Sequence, residues 1–155
     1  MTICNEGKEH DVPIGDWYNK RHDSEGGNGM EFTMKENSFV SEFEFGTLEV
    51  SGNEDYGFRP FQLLVSSIAV CSGGVLRKVL DKKRIKYEDI KMKASVKRNE
   101  AGVNEVTAIH IHFVLVGTDA TDEKLAKALE ITTKNCPIVQ SVKDSIQITE
   151  TFERA

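Results

Sequence analysis

Cysteine is scarce: 155 residues hold only Cys4, Cys71 and Cys136. An odd number at such wide spacing excludes a secreted disulfide framework and supplies no CxxC zinc or redox motif. Positive charge is also short. Twenty Lys and Arg against 25 Asp and Glu leave a net charge of −5, so neither a general phosphate-binding surface nor a nucleic-acid partner is expected. A long uninterrupted apolar run is missing as well. The longest stretch, Phe61 to Leu76, is broken by Gln62, Ser66, Ser67, Ser72, Gly73 and Gly74, which reads as too short and too polar for a bilayer. No membrane segment is expected. The start, MTICNEGKEHDVPIGDW, lacks a basic stretch leading into an apolar run and a small-residue cleavage site, so a cytoplasmic location is expected. What is present is ordinary for a globular protein: 39% hydrophobic and 29% charged residues, in a length that suits one domain spanning 1–155.

The chain shows no internal repeat and no low-complexity segment. Residues 1–29 are polar and close on the glycine-rich turn DSEGGNG. Strands are expected over 30–50. Met30, Phe32 and Met34 alternate with polar residues, a KENS turn follows, and Phe39, Phe43 and Phe45 share one face while Glu42 and Glu44 share the other. A third short strand is placed at Leu48 to Val50. From Pro60 to Lys83 the pattern is that of a buried helix, started by proline, apolar on nearly every side and cationic in its last turn. The remainder, 87–155, reads as two alternating strands forming a hairpin across NEAGVN, then a helix with Leu125, Ala128, Leu129 and Thr132 or Thr133 at helical spacing. Cys136 falls near the end of that helix, and Pro137 forces a break. A short helix through PIVQSVKDS and a final strand, IQITETFE, with Ile146, Ile148 and Phe152 on one face, complete an α+β fold.

Candidate chemistry centres on the thiols. A cysteine in an apolar helix is by default a packing residue. The small neighbours of Cys71 in SSIAVCSGG leave room above the sulfur, and Gly73 and Gly74, unfavourable in a helix, permit another element to come close. Cys136 sits where a helix must end and could meet Cys71 across the fold. His110 and His112 share one strand face at a spacing compatible with metal binding, but no third ligand is evident and an exposed sheet face explains them. Lys91, Lys93 and Lys97 would be ordinary cross-strand partners of Glu42 and Glu44. His10, His22 and Cys4 carry no motif.

RPFQLLVSSIAVCSGGVLRKVL followed by two strands and KNCPIVQSV resembles the OsmC/Ohr superfamily, whose members carry one cysteine on a proline-led central helix and a second in a later Cys-Pro. The resemblance covers Gly57 to Phe152. It implies antiparallel sheets packed on a long buried central helix, in an intertwined homodimer with two active sites built from both subunits. It also implies a thiol redox protein associated with stress response. Cys71 would attack an organic hydroperoxide and become a sulfenic acid, Cys136 would close on it as a disulfide, and a dithiol reductant would reopen the bond. No metal, prosthetic group or other cofactor is required. In the peroxidase branches an arginine held by a glutamate lowers the thiol pKa. Here Phe61 stands at the glutamate position, which points to a YhfA-like or general OsmC-like branch. Arg21, ahead of the glycine-rich turn, is the nearest candidate for the cation, and Arg59 near the helix start is an alternative. The competing expectation is a non-catalytic homodimer that binds a small apolar or acyl ligand, with Phe61 making the pocket more hydrophobic.

Overall fold

The computed structural model describes residues 29–155, and the architecture below is that of the unit Phe32–Ala155. Cys4, His10, Arg21 and His22 lie outside the described residues. Alternation in the first part of the unit produces β1 (Thr33–Met34), β2 (Phe39–Phe43) and β3 (Gly46–Val50), an antiparallel sheet in that order. The KENS stretch closes the first turn through a Lys35 N–H to Ser38 carbonyl bond of 2.8 Å. Phe45 does not continue β2 as its spacing predicts. Phe43 pairs with Gly46, so Glu44 and Phe45 form a two-residue turn and the Phe45 ring points into solvent.

Helix α1 (Pro60–Lys82) follows the expected span to within one residue. Pro60 opens it without sacrificing a hydrogen bond, the Gln62 side chain accepts the Arg59 backbone N–H at 3.3 Å, and Lys82 complements the negative end of the dipole. At 23 residues it is about 34 Å long, and, contrary to the expectation from its serines and glycines, it is long and apolar enough to cross a membrane. Its placement is that of a core helix: Ile68, Ala69, Leu76, Val79 and Leu80 are buried in the main hydrophobic cluster. The opposite face is open, with Val70 64% exposed and Gly74 exposed beside it, so the described residues do not cover the helix all round.

The second sheet has the order β4 (Asp89–Arg98), β5 (Val106–Val116), β6 (Gln147–Arg154). β4 and β5 form the expected antiparallel hairpin. β5 and β6 run parallel, which corrects the expectation of antiparallel sheets throughout. Parallel neighbours need a crossover, and helices α2 (Asp122–Asn135) and α3 (Pro137–Val142) supply it. Ile109, Ile111, Phe113 and Leu115 of β5 present a fully buried face to the helices, each side chain contributing about 1.5–3 kcal/mol by leaving water. Leu125, Ala128 and Leu129 of α2 and Val139 of α3 close the core.

The two sheets are separate, so the lysines of β4 do not oppose Glu42 and Glu44. Lys93 lies across from His112 and Lys91 from Val114 on the outer face of the second sheet. Gly73 also has an internal explanation. A Cβ there would stand 2.5 Å from Met92 Sδ of β4, whereas one on Gly74 would meet nothing within 4 Å among the described residues beyond its own stretch of helix. The close approach at Gly73 is therefore made by this chain's own strand.

Candidate active site at the cysteine pair

Cys71 lies midway along α1 and Cys136 at the junction of α2 and α3, where its φ of −78° and ψ of 112° break the helical path ahead of Pro137. The break is dictated by the proline ring, which disfavours a helical residue before it. It aims the Cys136 side chain into the core, where it has 0% exposure. Cys71 is half-buried and packs against the same cluster. Both are free thiols, packed into one cluster and near enough for Cys71 to perturb Cys136.

Burial is the main reason the Cys136 thiol is pushed above its ordinary value of 9.0, and the adjacent Cys71 adds to the rise. The backbone N–H groups of Val139 and Ile138 at the start of α3 work in the opposite direction, because they favour a thiolate. Cys136 is thus a protonated, enclosed thiol beside a more accessible one.

One acidic side chain enters this region. The inward face of β6 reads Ile148, Glu150, Phe152, and all three are partly buried. Glu150 Oε1 accepts the hydroxyl of Ser72, the residue after Cys71, and Oε2 accepts the hydroxyl of Thr133, three residues before Cys136. Ser72 has no exposed surface. The sequence carried the signal. Glu150 has the same parity as Ile146, Ile148 and Phe152, and a carboxylate on the buried face of a strand requires hydrogen-bond donors there.

Arg59 and Phe61 are brought together at the other end of α1. The Arg59 guanidinium lies 4.9 Å from the Phe61 ring centroid and pairs with Glu54 at 3.1 Å. Arg98, which the sequence reading passed over, lies 5.0 Å from the same centroid and donates through Nε to the Asn104 carbonyl at 2.8 Å. Along the helix, Arg59 is about 18 Å from Cys71, so within one chain it does not reach the thiol. A ring that cannot hold a guanidinium by charge holds two by its π faces.

His110 Nε2 and His112 Nδ1 both lie 2.8 Å from Thr151 Oγ1, and His112 Nε2 is 3.6 Å from Glu153 Oε2. Among the described residues, no group of three or more His, Cys, Asp or Glu side chains could hold a metal. The pair is an exposed sheet-face network.

Comparison with known proteins gives this arrangement a context. The family model described as OsmC-like protein matches residues 52–151. Protein YhfA of Escherichia coli strain K12 is 25% identical over 95 residues, which cover 61% of this chain and 71% of that protein. A hypothetical protein from Aquifex aeolicus VF5 superposes with a TM-score of 0.72 at 29% identity, covering 82% of this chain and 95% of that one. An organic hydroperoxide resistance protein from Legionella pneumophila, described as a predicted redox protein, shares the fold with a TM-score of 0.64 at 15% identity over 83% of this chain and 99% of that one.

Proposed function

We propose that this chain, which belongs to the OsmC-like protein family, is a dithiol redox protein in which Cys71 reduces an organic hydroperoxide and Cys136 closes on it as a disulfide. The observation that carries this reading is the packing of a half-buried thiol into the same cluster as a fully buried one at a helix break. A peroxide arriving from solvent meets Cys71 first. The Cys71 thiolate attacks one peroxide oxygen, the O–O bond breaks, the departing alkoxide takes a proton as the alcohol, and a sulfenic acid remains on Cys71. The Cys136 thiolate then attacks that sulfur and the hydroxyl leaves with a proton as water. A dithiol reductant reopens the disulfide by exchange and is itself oxidised. Structural kinship with proteins named for hydroperoxide resistance supports the substrate class.

Arg21 is the cation we assign to the Cys71 thiolate, on its position ahead of the glycine-rich turn. The active unit is a homodimer. The open face of α1 at Val70 and Gly74, together with the exposed Met34, Phe39 and Met92, supplies apolar surface of the kind that marks an interface. A cytoplasmic location belongs to the same reading, since a disulfide that forms and is reopened in each turnover suits a reducing compartment.

A second reading, a binder of a small apolar or acyl ligand, is favoured by one observation. Phe32, Met34, Phe39, Leu48, Pro60 and Leu63 line much of an open groove of about 620 Å³ between the first sheet and the start of α1. Titration with cumene hydroperoxide and hydrogen peroxide, followed by mass measurement of thiols, sulfenic acid and disulfide, separates the two. The redox reading expects the intact protein to lose two thiols to one disulfide, Cys136→Ser to stop at the sulfenic acid, and Cys71→Ser to consume no organic peroxide. A Cys71 that stays a thiol in excess peroxide overturns the peroxidase step and favours ligand binding.

A further inference from the structure

The two thiols come from different helices, and one carboxylate ties those helices together at the level of the thiols. Glu150 reaches from the inward face of β6, between Ile148 and Phe152, and accepts one hydroxyl from each side: Ser72 of α1 on Oε1 and Thr133 of α2 on Oε2. Ser72 is bonded directly to Cys71, and Thr133 is in the last turn before Cys136. The chain of contacts continues, because the Gln140 side chain of α3 donates to the Thr133 carbonyl at 3.0 Å and so fixes the far side of the Cys136 break. The Thr133 hydroxyl also lies 3.1 Å from the Leu129 carbonyl.

A partly buried carboxylate bonded by two neutral hydroxyls is a costly device if its purpose is stability alone, since an apolar residue between Ile148 and Phe152 would pack without desolvating a charge. Its distinctive property is geometric. Two oxygens in a fixed fork set the separation of the two hydroxyls, and those hydroxyls stand one and three residues from the sulfurs. We propose that Glu150 is a positioning residue for disulfide closure, holding α1 and α2 in the register in which Cys136 can attack Cys71. This rests on the redox reading above. Glu150 acts on the second step, in which the sulfur–sulfur bond forms, because the first step needs the Cys71 thiolate with its cation and the peroxide, and makes no use of Cys136.

The consequence is a split between steps. In Glu150→Ala, oxidation of Cys71 by cumene hydroperoxide proceeds within about twofold of the intact protein, while closure slows by about tenfold or more as the near-attack geometry is lost. Cys71 sulfenic acid then accumulates and is trapped by dimedone. Glu150→Gln keeps the fork, with its amide donating to the Thr133 hydroxyl while that hydroxyl turns to the Leu129 carbonyl, and restores closure to within about threefold. Should Glu150→Ala fail to fold, Ser72→Ala and Thr133→Val remove the two donors singly with little change of volume, and their double variant is expected to show the same split. Equilibration of each variant against reduced and oxidised glutathione reports the Cys71–Cys136 couple without peroxide, with the disulfide expected to be disfavoured about tenfold when the clamp is removed. Closure and glutathione equilibrium unchanged in a folded Glu150→Ala, or in the double variant, overturn the clamp and leave the redox reading standing. A Cys71 inert to peroxide overturns the peroxidase reading alone, and the glutathione equilibrium still decides the clamp. An intact protein that forms no Cys71–Cys136 disulfide in glutathione overturns both.

Discussion

Cys136, with no exposed surface, shares one packed cluster with the half-buried Cys71, where α1 meets the two helices that flank the Cys136 break. Burial first, and Cys71 second, hold the Cys136 thiol protonated beyond its ordinary value of 9.0. Only a thiolate attacks a sulfenic acid, so closure is limited by the small ionised fraction of Cys136 at neutral pH. The rate of disulfide formation, followed after a single addition of peroxide, is expected to rise about tenfold per pH unit from pH 7 into the alkaline range. The effect on stability has the opposite sign. As pH climbs through 9.0 the unfolded thiol ionises while the folded one does not, so the reduced protein loses stability between that value and the higher folded one, and loses none of it below. Denaturant midpoints measured from pH 7 to 10 should show this fall in the intact protein and a shallower one in Cys136→Ala.

Apart from the local backbone of α1 and its chain neighbours, Gly74 has no atom of the described residues within 4 Å of the position its Cβ would take. For the isolated chain, Gly74→Ala is therefore expected to stabilise α1 by up to about 1 kcal/mol through helix propensity. A second copy packed on the open face would reverse this, since overpacking of about 1–3 kcal/mol weakens association by about tenfold or more. Sedimentation equilibrium and the concentration dependence of the melting temperature distinguish the cases. A dimer unaffected by Gly74→Ala places its interface elsewhere.

The order of elements was legible because each has a strong period or a strong stop. Pro60 opens α1, Pro137 breaks the path at Cys136, and the alternation of Ile109 to Leu115 marks a strand with one buried face. Strand direction was not legible. A period of two is the same for parallel and antiparallel neighbours, so nothing in IQITETFE reveals that β6 runs parallel to β5. Phe45 misled because the Glu44–Phe45 turn uses no glycine, proline or asparagine at its two central positions. Both thiols of the site were visible in their motifs, whereas Glu150 was passed over by following only the apolar members of its own alternating face. Arg98 was unreadable for a different reason. Its contact with Phe61 joins a strand end to a helix start, 37 residues apart in sequence, and neither local pattern announces it.

Gly57 makes the opposite case to Gly74. A Cβ there would lie 2.7 Å from the Glu49 carbonyl oxygen and 2.9 Å from the Glu49 carbonyl carbon, which are backbone atoms. They cannot move aside, because the Phe58 N–H donates to that same oxygen at 2.9 Å and the Ser51 N–H to the Phe58 carbonyl at 3.1 Å. These two bonds tie the first sheet to the chain leading into α1. Gly57→Ala is expected to cost about 1–3 kcal/mol in urea unfolding, whereas Gly52→Ala, with open space around it, should stay within about 0.5 kcal/mol.

Phe61 carries a guanidinium at 4.9 Å from Arg59 and another at 5.0 Å from Arg98. Removing the ring while keeping an apolar side chain, as in Phe61→Leu, forfeits two cation–π contacts of about 0.5–1 kcal/mol each. A double-mutant cycle with Arg98→Ala should return a coupling in that range, measured by denaturant unfolding. The same pair of variants tests where these charges act. Phe61 is about 15 Å along the helix from Cys71, so if the thiol is served only by groups of its own chain, Phe61→Leu and Arg98→Ala leave the rate of Cys71 oxidation within about twofold of the intact protein. A fall of about tenfold or more in that rate, with Cys71 burial and secondary structure unchanged, would show that Arg98 reaches the thiol of a second copy. The cation role assigned to Arg21 would then pass to a guanidinium held by a ring instead of a carboxylate.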